Sequence, residues 1–200
     1  MMPAPSDEVT CRAATPHDIE AIARLHADSW RRHYRGALPD AYLDGDLVSE
    51  RLSVWTDRLG PQRADTFTIV AEHIGSDPGS DPGPGPGDIV GLTHTILEDD
   101  PTWGALLDNL HVPHAEKRHG IGTRLMAETA RTLIARDPAS PLYLWVLAQN
   151  TAAQAFYDAR GGTRVERQSR SPQPGERLRY TWPDPSRLLP DHAEGRADRV

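Results

Sequence analysis

Residues 115–126 read AEKRHGIGTRLM, and the interpretation of the whole chain depends on what this stretch does. It places basic residues and a histidine before a Gly-x-Gly, and then it becomes helical. A junction of this kind directs unpaired backbone N–H groups and the positive end of a helix at one point, which attracts a phosphate or pyrophosphate. The stretch is therefore either an anion-binding loop or an ordinary turn with surface charge.

The residue types in this loop favour some anion-binding classes and exclude others. Gly120 and Gly122 lack a Cβ, so the backbone could approach an anion closely, and Lys117 and Arg118 add positive charge. The Gly-x-x-x-x-Gly-Lys-Ser/Thr order of a P-loop is absent. Leu125 stands where a dinucleotide-binding Gly-x-Gly-x-x-Gly motif would have its third glycine. Neither of those two classes fits.

The hydrophobic pattern on both sides of the loop predicts strands and helices in alternation. Apolar residues at every second position indicate strands, and apolar residues three or four apart indicate helices. Predicted helices cover 15–30, about 48–59, 121–136 and 150–162, and predicted strands cover 66–73, 88–97, 105–112, 141–148, 163–169 and 176–183. With a first strand before residue 15, this order favours an α/β fold in which a mixed sheet has helices on both faces.

The length of 200 residues predicts one domain, with irregular segments at its ends and inside it. Residues 75–87 contain only Gly, Pro, Ser and Asp, which predicts a flexible loop between two strands. We expect a flexible N-terminus at 1–8, the domain at 9–183 and a disordered, charged tail at 184–200.

Composition limits the classes of partner and compartment. A net charge of -7 argues against nucleic-acid binding, which needs a basic face. The sequence has no apolar run of about 18 residues and no features of a signal peptide, so we expect a cytoplasmic protein without membrane association. Cys11 is the single cysteine and is predicted to be a buried strand residue.

Two separate motifs resemble the GNAT superfamily of acyl-CoA-dependent N-acetyltransferases. The family's loop pattern is Gln/Arg-x-x-Gly-x-Gly/Ala, and here Lys117 precedes Gly120 and Gly122, keeping the charge without the planar guanidinium. The second family pattern is Asn-x-x-Ala-x-x-Phe-Tyr-x-x-x-Gly, which is matched by Asn150, Ala153, Phe156, Tyr157 and Gly161. The resemblance covers about residues 9–183 and implies a GNAT fold with a mostly antiparallel sheet of about six to seven strands.

The same resemblance implies acetyl-CoA as co-substrate, with no metal. It implies that the amides of residues 118–123 hold the pyrophosphate and that the strand around 110–112 separates from its neighbour to bind the pantetheine arm. Tyr157 would be the general acid for the sulfur, or a core aromatic residue. Asn150 would contact the cofactor, cap a helix, or do both. The implied cofactor-binding residues are Leu110, His111, Val112, Lys117, Arg118, His119, Gly120, Ile121, Gly122, Thr123, Asn150 and Phe156.

The acceptor side is less specific. Trp30, Tyr34 and Asp108 are predicted to bind the substrate amine, and Leu38, Trp55, Leu59 and Trp182 either line the same cleft or pack in the core. Leu106 stands where many family strands carry a glutamate, so the general base stays open. The candidates are Glu98, Asp99, Asp100, Asp108, His111 and a relaying water.

Three histidines close in sequence, His111, His114 and His119, raise the question of a metal site. A strand and a loop would scatter them and no thiol or carboxylate completes the set, so no metal is predicted. The sequence therefore predicts an enzyme that transfers an acetyl group to a primary amine of a small molecule, peptide or protein, by direct attack in a ternary complex. The alternative is a catalytically idle acyl-CoA sensor, and a homodimer is possible in either case.

Overall fold

A computed structural model of the chain describes residues 9–60, 63–74, 88–169 and 175–190. Seven strands form one mixed sheet in the order β1-β2-β3-β4-β5-β7-β6. The strands are β1 (Val9–Ala13), β2 (Thr66–His73), β3 (Ile89–Asp100), β4 (Gly104–His111), β5 (Leu142–Leu147), β6 (Thr163–Ser169) and β7 (Glu176–Trp182). The helices are α1 (Ile19–His33), α2 (Asp40–Leu43), α3 (Leu47–Leu59), α4 (Ile121–Arg136) and α5 (Thr151–Asp158). The expected mixed, mostly antiparallel sheet is confirmed, since β4 and β5 are parallel and the other neighbours antiparallel.

Helices cover both faces of the sheet, as expected from β2 and β3, whose consecutive residues are buried. On one face Ile22 of α1 and Trp55 of α3 are fully buried against Val70 and Leu92. The other face is covered by α4, whose buried side chains join a larger cluster with β5 and β7. Because β2 and β3 are buried on both faces, their apolar residues do not simply alternate with polar ones.

The sheet separates in its middle, between β4 and β5. These strands are paired at Ala105 with Leu142 and at Leu106 with Tyr143. Beyond those two pairs β4 continues to His111 without pairing to β5 in the part of the chain that the structure describes. The strands diverge there and leave a wedge-shaped opening between them.

A β-bulge in β4 accompanies the separation. Leu107 pairs with Thr95 and Asn109 pairs with His94, so Asp108 is the additional residue on β4. A bulge bends its strand and increases the local twist. The bend lies at the level where β4 leaves β5, and it puts an exposed carboxylate at the mouth of the opening.

Several predicted segments need a correction or fall outside the described residues. The strands predicted at 163–169 and 176–183 are present, and they pair with each other in antiparallel orientation. The predicted tail at 184–200 begins too early, because Pro185–Leu188 form a 3-10 turn in which Leu188 is buried against the core. The predicted flexible segments 1–8 and 75–87 and residues 191–200 lie outside the described residues. Of the helices described, none has the length and apolar character needed to cross a membrane.

His94 is a buried titratable residue between the sheet and α3. Its side chain is 2% exposed, its Nδ1 lies 2.8 Å from Thr68 Oγ1, and the edge of the Trp55 ring packs against it. Burial, together with the charges of Arg58 and Arg63, lowers the pKa of His94 to about 3. The folded protein therefore holds this imidazole neutral.

We expect the protein to lose stability as the pH falls below about 6.5, in part through His94. The unfolded chain binds a proton there that the folded chain does not, so the free energy of unfolding decreases from about pH 6.5 towards 3. One such group contributes a slope of about 1.4 kcal/mol per pH unit. Urea unfolding at pH 7, 6 and 5 measures how the free energy of unfolding changes with pH. This slope should be smaller in His94→Gln than in wild type by about that amount. His17→Gln, at an exposed position, is the control, and equal slopes in the two variants would contradict the assignment.

Candidate active site

A cleft of about 2070 Å³ opens where β4 and β5 diverge. Its walls come from α1, α3, β4, β5, the loop before α4, and α5. Every residue predicted from the sequence to bind cofactor or substrate lines this cleft, except His119. The side chain of His119 is 65% exposed and lies 3.6 Å from Glu116, outside the cleft. The fold therefore brings two distant motifs together around one opening.

The loop before α4 has the conformation of an anion-binding turn. Arg118 and Gly120 adopt positive φ angles of 71° and 79°, and Gly120 is the N-cap of α4. The first intrahelical bond runs from the amide of Arg124 to the Gly120 carbonyl at 3.0 Å, so the amides of residues 121–123 precede it. A Cβ built on Gly120 would meet no atom within 4 Å, so the space beside this residue is open. The first amides of α4 and its helix dipole give this end of the helix the character of an anion site.

Gly122 lines the cleft and also has a packing role. A Cβ at this position would lie 3.2 Å from the ring of Phe156, so the missing side chain lets α4 and α5 pack closely. Arg160 lies over the same ring at 4.9 Å and donates from Nε to Thr123 Oγ1 at 3.1 Å. Arg160 lines the cleft beside the loop, although the sequence analysis did not single it out. The contact arises because the end of α5 meets the start of α4.

Asn150 and Tyr157 occupy the two ends of α5. Asn150 caps the helix, since its Oδ1 accepts from the Ala153 amide at 3.2 Å, and it also lines the cleft. Tyr157 is 7% exposed and its ring packs against Tyr180 and Trp182, while the residue still borders the cleft. Burial raises the pKa of Tyr157 above its ordinary value, and proximity to Tyr34 adds to the rise. The phenol therefore keeps its proton.

Aromatic residues of α1 form the opposite wall. Trp30 stacks on Tyr34 with a ring distance of 4.7 Å, and both line the cleft. The other aromatic candidates belong to the core. Trp55 is fully buried under α1, and Trp182 is 1% exposed and donates from Nε1 to the Arg160 carbonyl at 2.9 Å. Of the two leucines predicted there, Leu38 lines the cleft, whereas Leu59 packs with the core.

A chain of hydrogen bonds crosses the mouth of the cleft from α3 to α1. Arg58 donates to Asp108 Oδ2 at 2.7 Å, and Asn109 Nδ2 donates to the same oxygen at 2.6 Å. The Oδ1 of Asn109 accepts from His111 Nε2 at 3.2 Å, which leaves His111 Nδ1 to accept from Ser29 Oγ at 2.7 Å. Burial lowers the pKa of His111 to about 3, so this imidazole is neutral and both its nitrogens are occupied.

The acidic candidates for a general base are also engaged. Asp99 accepts from the Tyr143 hydroxyl, and Asp100 accepts from the amide of Thr102 at 2.8 Å. Glu98 does not line the cleft and has a positive φ of 51°. Among the described residues, every carboxylate that lines the cleft has a polar partner. The geometry singles out no base.

The histidines that raised the question of a metal do not converge. His111 is enclosed in the cleft wall, while His114 and His119 are exposed on the loop. Across residues 9–60, 63–74, 88–169 and 175–190, no group of three or more His, Cys, Asp or Glu side chains lies where it could hold a metal ion.

Comparison with known proteins gives a consistent result. A family model described as the acetyltransferase (GNAT) family matches residues 27–161. The probable N-acetyltransferase Rv2775 of Mycobacterium tuberculosis is 28% identical over 153 residues, which cover 75% of this chain and 77% of that protein. The uncharacterized N-acetyltransferase YuaI of Bacillus subtilis is 27% identical over 185 residues, covering 90% and 96%. The structure of Arabidopsis thaliana NAA60 in complex with acetyl-CoA shares the fold, with a TM-score of 0.61 at 16% identity over 88% of this chain and 98% of that one.

Proposed function

This chain belongs to the GNAT family of acetyltransferases, and on that premise we propose that it transfers an acetyl group from acetyl-CoA to a primary amine by direct attack in a ternary complex. The observation that carries the proposal is the cleft between β4 and β5, which joins an anion-binding loop to a buried tyrosine. Binding of acetyl-CoA by the NAA60 protein of the same fold supports the choice of co-substrate.

The loop before α4 fits the pyrophosphate of a coenzyme A. Its amides at residues 118–123 and the dipole of α4 supply donors, and the open space in front of Gly120 supplies room. Lys117, Arg118 and Arg160 add positive charge at the same end of the cleft. On the side of β4 that faces β5, the unpaired backbone beyond Leu106 can bind the arm that carries the thioester. Acetyl-CoA would supply an activated carbonyl carbon.

Tyr157 is suited to donate a proton to the departing sulfur. Burial keeps the phenol protonated, and the residue borders the cleft where α5 approaches β4 and β5. A buried donor of this type stabilises charge only as it develops on the sulfur. Because each described carboxylate of the cleft has a partner, we expect the proton of the amine to leave through water.

The first experiment measures acetyl-CoA binding by calorimetry in wild type, Gly120→Ala and Gly36→Ala. Both glycines have positive φ angles, 79° and 77°, and open space around a built Cβ, so each substitution costs about 1–2 kcal/mol of backbone strain. Only Gly120→Ala adds a methyl group to the loop that is proposed to bind the pyrophosphate. We expect it to weaken binding by about tenfold or more, which corresponds to losing one or two hydrogen bonds to a charged group.

Gly36→Ala should bind acetyl-CoA as wild type does. Equal weakening in both variants would show that the loop is not the binding site. Absence of binding by wild type would refute the proposed function altogether.

The second experiment follows release of free thiol in Tyr157→Phe with a panel of primary amines. We expect kcat to fall about 10²-fold or more, as is typical when a general acid is removed, with acetyl-CoA affinity unchanged. Tyr180→Phe is the matched control, because it removes the hydroxyl of a neighbouring buried tyrosine that does not line the cleft. Wild-type binding without thiol release for any amine would favour an acyl-CoA sensor instead.

A further inference from the structure

Six side chains from α1, α3 and β4 form one connected cluster beside the cleft, which we call the α1–α3 wall. His26 lies at its centre, with ring distances of 5.6 Å to Trp30, 5.7 Å to Trp55 and 4.7 Å to His111. The members are His26, Trp30, Arg51, Trp55, Arg58 and His111, and all except Trp55 line the cleft. The wall therefore combines aromatic rings with cationic and imidazole groups.

The tautomer of His26 follows from its contacts. Trp55 donates from Nε1 to His26 Nδ1 at 3.0 Å, so Nδ1 is an acceptor and carries no proton. Burial, together with the nearby charges of Arg51 and Arg58, lowers the pKa of His26 to about 2, so the ring is neutral. The single proton is then on Nε2. That N–H is buried, and it has no hydrogen-bond partner among the residues that the structure describes.

Arg51 presents a second buried donor. Its guanidinium lies 4.2 Å above the Trp30 ring and binds Glu50 through Nη2, and its side chain is 9% exposed. The Nε–H of Arg51 is buried without a partner in the described part of the chain. Glu50 is held in turn by Tyr42, whose hydroxyl lies 2.8 Å from each carboxylate oxygen. The guanidinium is thus held in place while its buried Nε–H stays unpaired.

Arg58, two helical turns further along α3, has the third buried donor of the wall. Its Nη2 donates to Asp108 at 2.7 Å, and its guanidinium lies 5.1 Å from the centre of the Trp55 ring. Its Nη1 is buried and has no partner within the described residues. Three side chains of one wall therefore each keep a buried N–H that nothing described accepts from.

A ligand group that pairs with any of these three atoms must be a hydrogen-bond acceptor. The three free atoms are all donors, and leaving buried donors unpaired costs free energy. The nearby acceptors are already used, since Glu50 and Asp108 bind other nitrogens of the same two guanidiniums and His111 binds Ser29 and Asn109.

We propose that the α1–α3 wall binds a carboxylate of the acceptor, so that the substrate is an amino acid or a similarly small amine that carries a carboxylate. The inference rests on the proposed function and narrows its substrate class. A planar carboxylate matches the fixed N–H directions of a guanidinium. Because Glu50 and Asp108 already balance the two arginine charges, the wall suits a monoanion better than a phosphate.

The test compares each amino acid with its amide, which keeps the side chain and the α-amine but lacks the carboxylate. The twenty L-amino acids and their amides serve as acceptors, with thiol release measured at saturating acetyl-CoA. The change in melting temperature at saturating coenzyme A reports binding independently of turnover. We expect at least one amino acid to exceed its amide in kcat/KM by about tenfold or more, and to raise the melting temperature where its amide does not.

Substitution of Arg51 should abolish the discrimination. We expect Arg51→Met to lower kcat/KM for the preferred amino acid by about 10–100-fold and that of its amide by much less. Arg51→Lys keeps a positive charge over Trp30 but loses the Nε–H, so it should lose a large part of the preference for the amino acid over its amide. This variant tests the proposal if Arg51→Met is unstable. Arg24→Met, on the exposed surface of α1, is the control and should behave as wild type.

Three results would overturn the proposal. The first is that the amides serve as acceptors as well as the amino acids do across the panel. The second is that Arg51→Met lowers kcat/KM equally for both members of a pair. The third is that no amino acid raises the melting temperature. Any of these would leave the acetyltransferase standing if wild type binds acetyl-CoA and acetylates another amine. Failure of wild type to bind acetyl-CoA would instead refute the function on which the proposal rests.

Discussion

The separation of β4 from β5 determines where the cleft, and with it the candidate active site, lies in the molecule. A sheet normally pairs its backbone donors and acceptors along the full length of each strand, and unpaired groups are tolerated only where another partner reaches them. Here pairing stops after Leu106 and Tyr143, while β3–β4 and β5–β7 remain paired, so the sheet stays continuous at one end and open at the other. The bulge at Asp108 bends β4 at the same level. The backbone therefore determines the opening, and the side chains line it.

The face covered by α1 and α3 places uncharged polar groups close to the opening. His26, His94 and His111 lie on this face, each neutral and each with at least one ring nitrogen hydrogen-bonded. A neutral imidazole can be buried because it accepts at one nitrogen and donates at the other, whereas a protonated one would carry an unpaired charge. The arrangement holds Trp30 and the two arginines of α3 at fixed positions.

The sequence predicted most of the fold because the relevant signals are local. The bounds of α4 and β2 follow from apolar spacing and from stop signals within single segments, and both motifs of the cofactor side are contiguous. The α1–α3 wall could not be read in this way, since His26 and Arg51 lie on different helices and share no motif. Nor could the contact of Gly122 with Phe156, which depends on how two helices meet. The turn Pro185–Leu188 was missed because the charge of its surroundings outweighed its two buried apolar residues.

The distribution of charge, rather than its total, bears on the choice of acceptor. A net charge of -7 suggests attraction for cations, yet the cleft is bordered by Lys117, Arg118 and Arg160 at one end and by the arginines of α3 at another. Fields inside a cleft are focused by its low-dielectric walls, so these near charges act more strongly on a bound molecule than the distant acidic surface does. The lowered pKa of His26 has burial as its largest cause, and Arg51 and Arg58 also contribute to it. Glu50 and Asp108 balance the charges of these two arginines. A zwitterion can supply both an attacking amine and an acceptor for the unpaired donors of the wall without adding net charge.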